Sequence, residues 1–143
     1  MAKYQTRKTK KEIHALIYSV AMVLFGNNRY KQPKFIDNAA QKDRCQVWMQ
    51  MIDDGKINEA ENEWITFVEN GVIGNDSTSG TQMELAEIAV FLYGYINEKN
   101  DDFLEEHWYS RQEIEQGLHD IIKMLGIDLY AADLLFSDRL DEG

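Results

Sequence analysis

Chemistry in this chain would have to come from few groups. It has three histidines, His14, His107 and His119, and one cysteine, Cys45. Glu105, Glu106 and His107 stand side by side, with His119 downstream, so the stretch 105–119 carries residue types suited to holding a divalent metal or to acid–base work. Three adjacent residues converge on one ion only where the chain bends sharply, and the simpler expectation is a solvated helix end at His107. His119 falls on the polar face of its helix, four residues after Glu115, and is expected in water. Cys45 and the serines lack the local signature of a nucleophile elbow. No GxxxxGK or GxGxxG cradle for phosphate occurs. The loop around residues 75–87 fails as a calcium site, because placing Gly80 at the sixth position puts Ala86 where a bidentate carboxylate is required. The expectation is therefore no catalytic residue, no metal ligand set and no cofactor. The alternative is a small metal-dependent enzyme or sensor built on Glu105, Glu106, His107 and His119.

The aromatic residues carry more information. Trp48, Trp64, Phe67, Phe91, Tyr93, Tyr95 and Phe103 recur at helical spacing and are expected in the core, since each ring buries a large apolar area. Trp108 and Tyr109 differ: they sit at a connection beside an acidic turn, where an exposed pair would form a small recognition patch.

The elements that would position these groups are marked by their ends. Thr9 with Glu12, Thr81 with Glu84 and Ser110 with Glu113 have the spacing of a capping box, in which a hydroxyl residue and an acid three places on satisfy each other's exposed N–H groups. Gly26, Gly55, Gly71 and Gly126 are expected to close helices, since glycine enters the left-handed region at least cost. Five helices follow, over residues 10–25, 37–53, 56–69, 81–97 and 110–125, with one extra turn at 101–107. Asp128 is placed to cap a last helix carrying Leu129, Leu134, Leu135 and Phe136. Periodicity agrees. In the third helix Ile57, Ala60, Glu61, Trp64, Phe67 and Val68 share one side, and in the fifth Ile114, Leu118, Ile121 and Leu125 do. No alternating run argues for a sheet. The class is all-α: a compact bundle of five to six helices in one domain spanning residues 1–143. The linkers 27–36, with the sole proline Pro33, and 71–80 are too short to divide it.

Charge limits the partners. Fifteen basic residues face 25 acidic ones, but Lys3, Arg7, Lys8, Lys10 and Lys11 lie in the first eleven positions, leaving 10 against 25, or −15, from Glu12 onward. So acidic a body repels phosphate backbones, and nucleic-acid binding could rest only on the basic arm, residues 1–9, itself expected to fray. The apolar stretch after the arm is interrupted by Glu12 and His14, is followed by no small-x-small cleavage site, and is shorter than the roughly 20 residues of a membrane span. A cytoplasmic protein with a polar tail, residues 137–143, is expected. Its lone cysteine excludes an intramolecular disulfide.

The run Asp54, Gly55, Lys56, Ile57, Asn58, Glu59, Ala60 and Glu61, then residues 91–97, then Asp102, Phe103, Leu104, Glu105, Glu106 and His107, then residues 110–117, resembles an uncharacterised bacterial family of small all-helical proteins. The likeness runs from the middle of the chain to Gly126. It implies an all-helical fold and a bacterial cytoplasmic origin, and carries over no site. Gly55, Lys56, Ile57, Glu59, Ala60 and Glu61 also resemble the second half of a tetratricopeptide-type helical pair, without a second copy at the 34-residue period.

The first helix has an unusual pattern. Ile13, Leu16, Ile17, Val20 and Leu24 form one stripe, and Ala15, Tyr18, Met22 and Phe25 form a second nearly opposite. Such a helix is either enclosed at the centre of the bundle or shared with a second molecule. The functional expectation is a non-enzymatic interaction module that binds a protein partner or itself, as a homodimer, with Tyr18, Met22, Phe25, Trp108 and Tyr109 as the candidate surface.

Overall fold

The computed structural model describes residues 8–26, 39–73 and 82–126. They form six helices: α1 (Lys10–Phe25), α2 (Ala39–Asp53), α3 (Ile57–Ile73), α4 (Gln82–Asn97), α5 (Asp101–Glu106) and α6 (Arg111–Met124), with no strand among the described residues. The protein is an all-α bundle. Its ends are set largely by the residues that sequence chemistry nominates. Thr9 and Glu12 close a capping box at α1, and the Glu113 carboxylate accepts from the Ser110 N–H at 2.6 Å at the start of α6. Thr81, the expected cap of α4, lies outside the described residues, as do the expected helix after Asp128, residues 1–7 of the arm and the tail 137–143. Gly26, Gly55 and Gly126 are left-handed, as a helix-closing glycine should be. Gly71 is not. It lies inside α3, which runs on to Ile73, because one glycine in a helix costs only about 1 kcal/mol and does not by itself end it.

The core is centred on α4. Leu85, Ala86, Ile88, Ala89, Val90, Leu92, Tyr93 and Ile96 cover more than half of that helix's circumference, and all are buried, while Met83 and Glu98 on the remaining side are exposed. An apolar face that wide needs several neighbours to cover it, and α4 packs against α1, α2, α3 and α6. Its small residues Ala86, Ala89 and Gly94 let the neighbouring backbones come close. The central position that the two-stripe pattern offered to α1 is thus taken by α4. Ile13, Leu16, Ile17 and Val20 of α1 are buried, and the opposite stripe faces outward. The expected apolar faces elsewhere are the buried ones: Ile57, Ala60, Trp64 and Val68 on α3, and Ile114, Leu118 and Ile121 on α6 with Leu125 just beyond its end.

One end of the bundle is joined by a polar staple. Asn97, at the end of α4, donates through Nδ2 to the Lys10 carbonyl at the start of α1 (3.1 Å), so these two helices run antiparallel. Arg111, the first residue of α6, is buried. Its Nη1 donates to the Asn97 carbonyl (2.9 Å) and Oδ1 (2.7 Å), and its Nη2 to the Lys99 carbonyl (2.9 Å) and Asp101 Oδ1 (2.8 Å). A cation at a helix start opposes that helix's own dipole. This one serves the other end of α4, where free carbonyls attract positive charge.

Candidate interaction surfaces

The outer stripe of α1 follows from helical geometry. Tyr18 and Met22 lie four residues apart and therefore side by side, with Ala15 and Lys11 next along the same face. Tyr18 is 43 % exposed and Met22 42 %, while Phe25 turns partly into the core. No carboxylate belongs to this stripe. In a chain of net charge −10 it is an apolar, nearly uncharged band.

The junction of α5 and α6 separates the two aromatics that the sequence pairs. Trp108 is 85 % exposed and Tyr109 only 3 %, so the exposed pair expected there does not form. The cause is the helix ending. The Tyr109 N–H bonds the Leu104 carbonyl (3.0 Å) and the Trp108 N–H bonds the Glu105 carbonyl (3.2 Å), the two bonds of a Schellman closure, with Tyr109 and Leu104 buried as its apolar contact. That closure requires a left-handed residue, and here it is Trp108, with φ of 58°. The end of α2 is built identically, with Lys56 N–H to the Met51 carbonyl and Gly55 N–H to the Ile52 carbonyl, and there the left-handed residue is glycine. Among the described residues every other positive φ belongs to a glycine. Holding a bulky side chain in this region costs about 1–2 kcal/mol relative to glycine.

The acid–histidine stretch does not assemble as a ligand set. His107 is drawn back onto its own helix, with Nδ1 2.8 Å from the Phe103 carbonyl and its ring packed against that of Phe103 in a tilted arrangement, 4.5 Å between centroids. The other edge of its imidazole presses on Gly55, where a Cβ would collide with it. His119 pairs loosely with Asp120 (3.9 Å). Among the described residues no three His, Cys, Asp or Glu side chains converge to hold a metal. Cys45 is buried, and burial pushes its thiol up to about 12, far from a thiolate nucleophile.

Two further polar clusters lie inside. Tyr93 donates to Glu61 Oε2 at 2.5 Å, and its hydroxyl packs so tightly on Gly117 that any side chain there would clash. Burial raises the Glu61 carboxyl above its ordinary range, and the negative charges of Glu113 and Asp120 add to this, against the pull of the Tyr93 hydrogen bond. The Tyr109 hydroxyl lies beside the same carboxylate, short of hydrogen-bond geometry. Burial also raises both phenols, so they stay protonated donors. The second cluster is the Arg111 staple, beside a cavity of about 220 Å³ lined by Lys8, Thr9, Asp101, Glu105, Ser110 and Arg111 among others. The cations there are already engaged, Lys8 with Glu115 (3.6 Å) and Arg111 with Asp101. Both helix starts at the cavity are held by their own acids, Glu12 and Glu113.

Sequence reasoning placed Glu61 on the buried face of α3 and missed Arg111, although an arginine at the first position of a helix is itself a signal, being on the wrong side of the dipole. It reached Trp108 as an exposed aromatic but not its left-handed backbone, since nothing in the residue type announces that conformation. No helix among the described residues is long and apolar enough to cross a membrane. No curated protein and no solved structure matches the chain. A family of unknown function, DUF6483, matches residues 4–126, a span that takes in every helix from α1 to α6. The protein therefore belongs to the DUF6483 family.

Proposed function

We propose that this protein is a non-enzymatic, cytoplasmic helical module that self-associates as a homodimer through the outer stripe of α1. The observation that carries the reading is the exposure of Tyr18 (43 %) and Met22 (42 %) on a helix whose opposite stripe is sealed in the core. Two neighbouring large apolar side chains in water favour a surface that covers them. A second copy of the chain suits this band better than most partners. Two bodies of net charge −10 repel each other at most approaches, and the stripe offers a face without a carboxylate. A two-fold contact also lets Tyr18 and Met22 of one protomer meet the same residues of its partner, the commonest form of assembly.

The test is the double variant Tyr18→Glu and Met22→Glu. It places two like charges on each side of the contact and touches no buried residue, so the expected outcome is a folded monomer by light scattering with helical circular dichroism unchanged. A wild-type protein that stays monomeric at every concentration measured sinks the proposal.

A further inference from the structure

The α5–α6 junction carries a second inference, independent of self-association. Trp108 is the most exposed large apolar residue among those described, and its indole has no ring, cation or polar partner there. Among the described residues it is also the one non-glycine residue held at positive φ. Neither property helps the fold. The equivalent position at the end of α2 does the same structural work with Gly55, and the apolar contact of the closure is made by Tyr109 and Leu104. A side chain that contributes nothing inward and opposes its own backbone is placed for what it meets outside.

The surroundings state the chemistry of that partner. Directly before Trp108, α5 carries Asp101, Asp102, Glu105 and Glu106 in six residues. Asp102, Glu105 and Glu106 recur at i, i+3 and i+4, hence on one face, and together line a shallow open concavity. No ion pair engages Asp102 or Glu106 among the described residues. Trp108 follows Glu106 by two residues in the chain, and a segment carrying guanidinium or ammonium groups answers both features, since such cations stack on an indole face and donate N–H bonds to carboxylates. We propose that Trp108, with Asp102 and Glu106, is a docking site for an arginine- or lysine-rich segment of a partner protein.

The test uses a labelled hexa-arginine peptide followed by fluorescence anisotropy, with hexaglutamate and a neutral apolar peptide of equal length as controls. The expected result is salt-sensitive binding of hexa-arginine alone. Trp108→Gly should weaken it by about tenfold while the thermal midpoint holds or rises, since glycine suits the left-handed position better. Trp108→Phe should retain most of the affinity, and Asp102→Asn with Glu106→Gln should weaken it and flatten its salt dependence. The wild type can report on itself as well: Trp48 and Trp64 are buried, so the solvent-exposed emission that the peptide quenches is that of Trp108. The Tyr18→Glu, Met22→Glu variant should bind as the wild type does, which separates this site from the α1 contact. Absence of hexa-arginine binding overturns the proposal. So does equal binding by Trp108→Gly, which would reduce the effect to general acidity. Equal binding of the apolar peptide would overturn the cationic chemistry, and a fall in thermal midpoint on Trp108→Gly would return the indole to a structural role.

Discussion

At the scale of single residues, Glu61 shows how a carboxyl can sit against the core. Its apolar stem lies with Trp64 and Val68 on the buried side of α3, and its charge is met by one short bond from Tyr93. That bond does not fully offset desolvation, so the folded protein holds the Glu61 proton more tightly than the unfolded chain, whose reference value is 4.5. The sign follows from linkage. A carboxyl raised on folding contributes stability that is fully present below 4.5 and is lost as pH climbs through the folded value, by about 1.4 kcal/mol for each tenfold difference in proton affinity between the folded and unfolded chain. Asp53 runs the other way. Burial raises its carboxyl, but hydrogen bonds from Lys99 and from Tyr95 outweigh that and hold it low, so its contribution is lost as the solution is made acid, and it is small because the pair is exposed. Glu61→Gln keeps the shape and removes the titration. The difference in unfolding free energy between variant and wild type, from urea titrations at a series of pH values, should move in favour of the variant as pH rises above 4.5 and then level off. A difference that is flat across that range contradicts the buried-carboxyl account.

At the scale of elements, the helices were legible where local chemistry decides and illegible where neighbours do. Thr9 with Glu12 and the left-handed glycines Gly26, Gly55 and Gly126 mark ends by satisfying backbone groups within four or five residues, and such ends can be read from the chain. The faces of α3 and α6 were readable for the same reason. What failed involved distant partners. Gly71 offered a stop that α3 runs through, since one glycine costs a helix only about 1 kcal/mol, and Tyr109 was drawn inward by Leu104 and the cluster at Glu61. Arg111 is the clearest case. Its side chain serves carbonyls of Asn97 and Lys99, more than ten residues back, and through Asn97 the start of α1. Arg111→Met should strand those carbonyls and Asn97 Oδ1 inside the bundle and cost about 3–5 kcal/mol by chemical denaturation. Arg111→Lys should recover only part of this, because a single ammonium cannot fork between the Asn97 and Lys99 sides. A cost below about 1 kcal/mol for Arg111→Met would show that solvent reaches those carbonyls and that the staple is not what joins the helices.

At the scale of the whole molecule, the arrangement is a central helix walled by four others, with its most unusual surface features on the outside of that wall. Both α1 and α4 are strongly apolar, and a single helix projection does not tell which is the centre. The difference lies in what is buried: one of two separated stripes on α1, and a single arc wider than half the circumference on α4. This layout makes a prediction about local stability. Opening α4 requires disengaging it from α1, α2, α3 and α6 together, so its amides should exchange with solvent only through global unfolding and be the slowest in the protein. The amides of α1 should exchange faster in dilute solution, because the helix is covered on one side only. If the outer stripe is the dimer contact, α1 should gain protection as protein concentration rises, while α4 changes only as far as the global stability does. Hydrogen exchange read by mass spectrometry at two concentrations distinguishes these behaviours. Uniform protection across α1 and α4 at low concentration would mean the bundle opens as one unit. A concentration effect that falls on α2 or α6 and spares α1 would move the self-association surface to another face of the bundle.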